Sequence, residues 1–227
     1  MIKNEFFIEH VNKAREYSFN FEILSIIGDF FFKKKPPLNN GYCNLGCGSR
    51  YLDGYVNADF YVFNNLRSIL NIKKVPGVDW QVDLRKKFKC QDSFFQGIFL
   101  EHVLEHLNIL DVFHLLGEIK RIMKPGSKLR ISVPDLEIYA KYYLLGEKKT
   151  DKFSMWDKNR GEAIWNIAHN FGHNCIYDFN FLKKILLLCG FTNIEKKEFN
   201  QSSDDMLLID DPGRSWESLY VEASPDK

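Results

Sequence analysis

Tyr42-Cys43-Asn44-Leu45 is a short apolar run that stops abruptly at Gly46-Cys47-Gly48. Glycine belongs where a chain takes positive φ or where a ligand must come close to the backbone. A strand ending in a glycine turn is a common opening of a nucleotide-type cofactor site. Three acids stand at the ends of later strand candidates: Asp59 after Val56-Asn57-Ala58, Asp83 before Leu84, and Glu101 before His102. Ligands of open α/β sheets lie at the carboxyl ends of the strands, so these features fall on one edge. An acid in the position of Asp59 can accept hydrogen bonds from both hydroxyls of a ribose. Alone, Asp59 or Asp83 would read as a helix cap or turn residue; beside the glycine loop the binding reading prevails.

The acids also bear on which cofactor the edge suits. Tyr51 stands where a third glycine would complete a dinucleotide fingerprint, and repeated carboxylates suit a pyrophosphate poorly. They suit a cofactor that carries positive charge, such as S-adenosylmethionine with its sulfonium and amine.

Histidines supply the other candidate chemistry. His102-Val103-Leu104-Glu105-His106 matches the H-x-x-E-H pattern of a zinc peptidase class. Two histidines four apart on a helix can share a metal, so a metal-dependent hydrolase is an alternative reading. It is the weaker one, because the motif follows a strand in a βα unit that begins with the glycine loop; no metal ligand is assigned. His169 and His173, around Asn170-Phe171-Gly172, could act as general base on a hydroxyl acceptor. The plainer alternative is a histidine bonded to the backbone or capping a helix. For Tyr139, Tyr142, Tyr143, Trp156, Trp165 and Trp216 the choice lies between core packing, which is preferred, and lining an acceptor pocket.

Positioning these groups requires a sheet. From Gly41 onward a βα rhythm is legible. Strand candidates are Tyr42–Leu45, Tyr55–Ala58, Trp80–Val82, Gly97–Leu100, Lys128–Val133, Asn193–Phe199 and Ser218–Ala223. Helical periodicity covers Ile109–Met123, which Lys124-Pro125-Gly126 stops, and Asn180–Leu188. Alternation of this kind predicts a mostly parallel sheet with helices on both faces. The polar stretch Gln201–Ser215 reads as a surface loop. Residues 4–32 carry apolar positions at helical spacing, so 1–40 is expected to be a helical extension or cap, and 41–227 the main domain.

Composition narrows the classes. The chain has 227 residues and is 45% hydrophobic, which suits one domain with a small appendage. Its 31 Lys+Arg balance 30 Asp+Glu, which argues against a nucleic-acid partner; Lys33-Lys34-Lys35 reads as a solvated face. Five cysteines without a CxxC point to free thiols rather than a disulfide framework. No run is long and apolar enough for a membrane span, and the amino terminus lacks signal-peptide character, so a cytoplasmic protein is expected.

The chain resembles the class I S-adenosylmethionine-dependent methyltransferases. Asn44-Leu45-Gly46-Cys47-Gly48, Asp59, Asp83, Glu101 through Leu107, and Lys124-Pro125-Gly126 with Leu129–Val133 carry the likeness, which runs from about Gly41 to Ala223. Val133-Pro134-Asp135-Leu136-Glu137, His173, Tyr177-Asp178 and Glu217 through Ala223 are similar to bacterial members associated with surface-polysaccharide or sugar modification. The resemblance implies a Rossmann-like, seven-stranded, mostly parallel sheet whose last strand is antiparallel, and S-adenosyl-L-methionine as cofactor. It implies that Asn44, Gly46, Cys47 and Gly48 lie along the methionine part, Asp59 at the ribose, Asp83 and Leu84 beside adenine, and Glu101 and His102 near the sulfonium. Because Asp59 follows the glycine loop so soon, the first crossover helix must be very short. The expected reaction is O-methylation of a small or saccharide-like acceptor, with His102 or His173 as base. N- or C-methylation and a non-catalytic, cofactor-binding relative are the alternatives.

Overall fold

Seven short, apolar runs pair into one sheet. In the computed structural model, which describes Ile23, Ile26 and residues 35–38, 41–60 and 78–226, these are β1 (Tyr42–Leu45), β2 (Val56–Asp59), β3 (Trp80–Gln81), β4 (Phe95–Glu101), β5 (Met123–Pro134), β6 (Phe191–Lys197) and β7 (Ser218–Pro225). The strand order is β3-β2-β1-β4-β5-β7-β6. Strands β1 to β5 run parallel, and β7 is antiparallel to both β5 and β6. This is the expected Rossmann-like sheet with its last strand antiparallel. The expected helical extension over 1–40 lies outside the described residues, apart from Ile23 and Ile26, which are helical, and 35–38.

Helix α1 (Ile109–Ile122) connects β4 to β5. Asn108 caps it by accepting from the amides of Leu110 and Asp111, and it buries Val112, Leu115, Leu116, Ile119 and Ile122 along one stripe. The chain turns extended at Met123, and Gly126, at φ 73°, supplies the bend before the long part of β5. Between β5 and β6 come α2 (Leu136–Leu145), α3 (Gly161–His169) and α4 (Phe179–Leu188). Alternate residues of β4, β5 and β7 join the stripes of α1 and α4 in the main core, among them Ile98, Leu100, Ile131, Val133 and Val221. Helices α2 and α3 enclose a second, smaller core with Tyr139, Tyr142, Phe153 and Trp156. Tyr139 and Tyr142 thus pack in the core, Tyr139 also lining a pocket described below, whereas Tyr143 and Trp165 are exposed.

The first crossover differs from expectation. Residues 46–55 join the parallel strands β1 and β2 through turns, with no helix at all. A side-chain network does the work of a helix there. Asn57 accepts from the Leu52 amide at 2.8 Å and donates to the Leu52 carbonyl at 3.1 Å, while Asp79 accepts from the Asn57 backbone amide at 2.9 Å. Asn44 reaches into the same network, donating to the Arg50 carbonyl at 2.8 Å.

The polar stretch after β6 also proves more than a surface loop. By strand alternation the second sheet face carries Arg130 and Glu222, and residues 198–217 cross it as a strap. Arg130 is fully buried. Its guanidinium donates to Asp210 at 2.7 and 2.5 Å and to the carbonyls of Gln201 at 2.7 Å and Glu198 at 3.1 Å. Glu222 accepts from Ser202 at 2.6 Å, and Tyr42 donates to Asp204 at 3.0 Å. Such a bidentate pair is geometrically specific, and removing one partner leaves a buried charge uncompensated. Asp210→Ala is therefore expected to cost about 3–5 kcal/mol, read from urea unfolding; a loss below about 1 kcal/mol, the level of an exposed pair, would contradict it.

Candidate active site

The glycine loop is held from below and open on one side. The amides of Gly46 and Cys47 both donate to the Ala58 carbonyl, at 2.8 and 3.1 Å, so the loop folds back onto β2. Gly46 sits at φ +75°, and a Cβ there would lie 2.4 Å from Val103. Gly48, at φ +54°, has nothing within 4 Å of a Cβ position. One glycine is therefore required by packing and the other borders open space. Cys47 is buried, and burial together with the nearby Asp59 charge pushes its thiol up to about 12. All five cysteines are free thiols.

Asp59 closes the loop. Its Oδ2 accepts the Gly48 amide at 2.7 Å and its Oδ1 the Phe60 amide at 2.5 Å. Burial raises its pKa and these two amides oppose the rise. A carboxylate has about four acceptor positions, so lone pairs remain for hydroxyl donors. Asn44 and Cys47 lie under the same loop. Asn44 acts on it through the Arg50 carbonyl and, at 3.2 Å, Asn57. Asp83 is buried after β3 and receives Arg85 through Nε at 3.0 Å and a terminal nitrogen at 2.8 Å; Leu84 packs against the main core. Glu101 ends β4. It pairs with Arg50 and accepts the Asp211 amide at 2.8 Å. Burial raises its pKa, opposed by the Asp211 amide and then by Arg50. Arg50 also donates to the Ile209 carbonyl and lies over the Phe99 ring, so the strap is fastened to the glycine loop.

Next to this edge lies a pocket of about 200 Å³, and three of the four histidines singled out from the sequence, His102, His106 and His173, line it. His102 follows β4 at φ 52°, an uncommon conformation of the kind that collects at functional sites. Its Nε2 is 2.8 Å from Ser218 Oγ, and that hydroxyl donates to the Arg214 carbonyl. With the hydroxyl proton so engaged, His102 Nε2 is the donor, and Nδ1 faces Glu105 Oε1 at 3.2 Å. His173 Nδ1 is 2.8 Å from the Ile167 carbonyl; a carbonyl only accepts, so the proton is on Nδ1 and Nε2 keeps its lone pair. His169 closes α3 near Trp165 and is not among the pocket's lining residues.

Arg214 and Asn166 escaped the sequence reading, and Glu217 and Phe171 entered it without an assigned role. Glu217 accepts from Tyr139 at 2.7 Å and stands 3.4 Å from Arg214. Asn166 and Phe171 complete the wall, Phe171 being strongly exposed. No local pattern marks Arg214 or Glu217, because the antiparallel return of β7 brings them beside Pro134 at the end of β5.

The H-x-x-E-H reading is corrected here. Leu104–His106 forms one short 3-10 turn, and His102 precedes it with left-handed φ, so the two histidines do not share a helix face.

The methyltransferase domain family matches residues 18–196. No curated protein matches the chain. Among solved structures, an S-adenosylmethionine-dependent methyltransferase from Mesorhizobium loti superposes with a TM-score of 0.50 at 18% identity, covering 83% of this chain and 93% of that one. A protein of Pyrococcus horikoshii gives 0.48 at 15% identity, covering 98% and 99%. Human N-acetylserotonin methyltransferase, solved with its cofactor, gives 0.48 at 14% identity, covering 82% of this chain and 47% of the human one. With the family match spanning most of the sequence and the sheet in the strand order described above, the chain belongs to the methyltransferase domain family.

Proposed function

We propose that this methyltransferase O-methylates a small or saccharide-like acceptor seated in the histidine pocket. Its methyl donor is S-adenosylmethionine, which when bound supplies an electrophilic methyl carbon on a sulfonium. The residues present fit that group. Gly48 leaves space on the loop, and Asp59 keeps free lone pairs for a ribose. Gly46, Cys47 and Gly48 would line the methionine part, with Asn44 positioning them. Asp83 and Leu84 would frame the adenine side, and Glu101 the amino end.

The observation that carries the acceptor reading is the meeting of His102 and His173 in one pocket beyond the end of β4. A hydroxyl holds its proton firmly, so its methylation benefits from a base, whereas an amine acceptor needs none once neutral. His173 Nε2 carries a lone pair because Nδ1 is committed to the Ile167 carbonyl. At His102 Nδ1, an arriving proton meets the buried Glu105 carboxylate 3.2 Å away. The polar wall of Arg214, Glu217 and Asn166 offers both donors and acceptors to a polyhydroxylated molecule.

Gly46→Ala strains φ and clashes with Val103, so it should lower the melting temperature. Gly48→Ala should cost only about 1–2 kcal/mol of backbone strain yet weaken S-adenosylmethionine binding, read by calorimetry; unchanged affinity in Gly48→Ala would remove the loop from the cofactor site. In a methyl-transfer screen over nucleotide sugars, saccharides and small hydroxylated metabolites, His102→Ala or His173→Ala should slow turnover by about 10²–10⁴-fold. Full turnover by both variants with the true acceptor would eliminate base-assisted O-methylation.

A further inference from the structure

Glu105 is 1% exposed, and neither of its carboxylate oxygens has a hydrogen-bond partner. The neighbouring His102 Nδ1 approaches within 3.2 Å but without hydrogen-bonding alignment. A buried carboxylate in that condition carries a large desolvation cost that only a protonated His102 beside it would offset. Two further ligand-type nitrogens stand beside it. His106 Nε2 lies 4.0 Å from Glu105 Oε1, and the ligand atoms of Glu105, His106 and His173 all fall within 4.8 Å of one another.

We propose that Glu105, His106 and His173 form a binding site for a divalent transition-metal cation in the floor of the acceptor pocket. Two imidazoles and one carboxylate are the donor set of open catalytic zinc sites and of facial-triad iron sites. The outer contacts are those such a site needs. His173 donates Nδ1–H to the Ile167 carbonyl, which aims Nε2 as the ligand atom. The turn carrying Glu105 and His106 is bolted to the segment after His173. The amides of Asn174 and Cys175 donate to the Glu105 carbonyl at 2.7 and 3.1 Å, and the Asn174 side chain donates to the His106 carbonyl at 2.7 Å. Ligand atoms of a tetrahedral site with bonds of ~2.1 Å stand ~3.4 Å apart. A contraction of up to about 1.4 Å is therefore required, to which a ring rotation at His106, whose side chain is 41% exposed, can contribute. The remaining cation in the pocket, Arg214, is balanced by Glu217.

This trio is not the pair suggested by the H-x-x-E-H spacing: His102 is replaced by His173, distant in sequence. A cation so placed would occupy the Nε2 lone pair of His173, leave coordination positions open to the pocket and raise the acidity of a bound acceptor hydroxyl, so that with metal bound His173 would act as a ligand and the role of base would fall to His102. That consequence rests on the O-methylation reading; the binding site does not, and its test needs neither acceptor nor methyl donor.

The 227-residue chain is stripped with chelator, dialysed against micromolar Zn²⁺ or Co²⁺, and assayed for bound metal and for the visible Co²⁺ ligand-field band. About one equivalent should be retained, with a band of four- or five-coordinate type. His106→Gln and His173→Gln should each lower affinity by at least about 10–100-fold, while His114→Gln, exposed on α1, should leave it unchanged. Circular dichroism checks that the variants fold. If either does not, Zn²⁺-induced shifts of the ring nitrogens of His106 and His173 in the wild type decide instead. Negligible retained metal, a full equivalent retained by both glutamine variants, or unmoved ring nitrogens would overturn the proposal. Failure of methyl transfer with metal still bound would instead count against the reaction assigned above.

Discussion

Parallel strands β1 and β2 are joined by residues 46–55 alone, without the helix that ordinarily carries a chain back across a sheet. A connection that short must satisfy its backbone groups by other means, and buried side chains do so. Asn57 binds both polar groups of Leu52, Asp79 holds Asn57, and Asn44 takes the Arg50 carbonyl. The glycine loop is the product of this constraint. With Gly46 and Cys47 donating to Ala58 and Gly48 donating to Asp59, the loop is pinned to the end of β2. The open position at Gly48 and the Asp59 carboxylate at the end of β2, the features on which the proposed cofactor edge rests, follow from that pinning.

The same economy appears on the second sheet face. Where apolar side chains of α1 and α4 fill one side, the other is bound at β5 and β7 by a polar strap organised around Arg130. A buried bidentate ion pair is weak as a source of net stability, because desolvating both charges is costly. Its value here is directional. Arg130 binds Asp210, and the next residue, Asp211, donates to Glu101, which pairs with Arg50 in the glycine loop. One chain of charge-assisted contacts thus runs from mid-sheet to the cofactor edge, and it sets where the strap returns to deliver Arg214 and Glu217 to the pocket.

The pocket proposed for the acceptor is built from elements with little in common in sequence. His102 and Glu105 come from the turn after β4, Tyr139 from α2, Asn166 from α3, His173 from the segment before α4, and Glu217 from the entrance to β7. The small aromatic core of Tyr139, Tyr142, Phe153 and Trp156 locks α2 against α3 and so carries the wall that His173 completes. His102 and Phe171, two of the five non-glycine residues with positive φ among the described residues, line this pocket.

By itself the sequence determined what is short-range and periodic. Strand β1 was legible to the residue, and α1 and α4 within a residue or so, because burial on one face writes a 2- or 3.6-residue period and because Lys124-Pro125-Gly126 marks the end of α1. The glycine loop and Asp59 were equally legible, since positive φ and a strand-end carboxylate leave a local trace. Helices α2 and α3 were less so; their apolar faces serve a separate small core with mixed aromatic residues, which blurs the period. Tertiary structure alone decided that the first crossover has no helix, that the polar stretch after β6 is a strap buried through Asp210, and that His106 pairs with His173 rather than with His102. Those outcomes depend on contacts between residues tens of positions apart, such as Arg130 with Asp210 and Glu105 with Asn174, whose energies come from desolvation and geometry that no local pattern encodes.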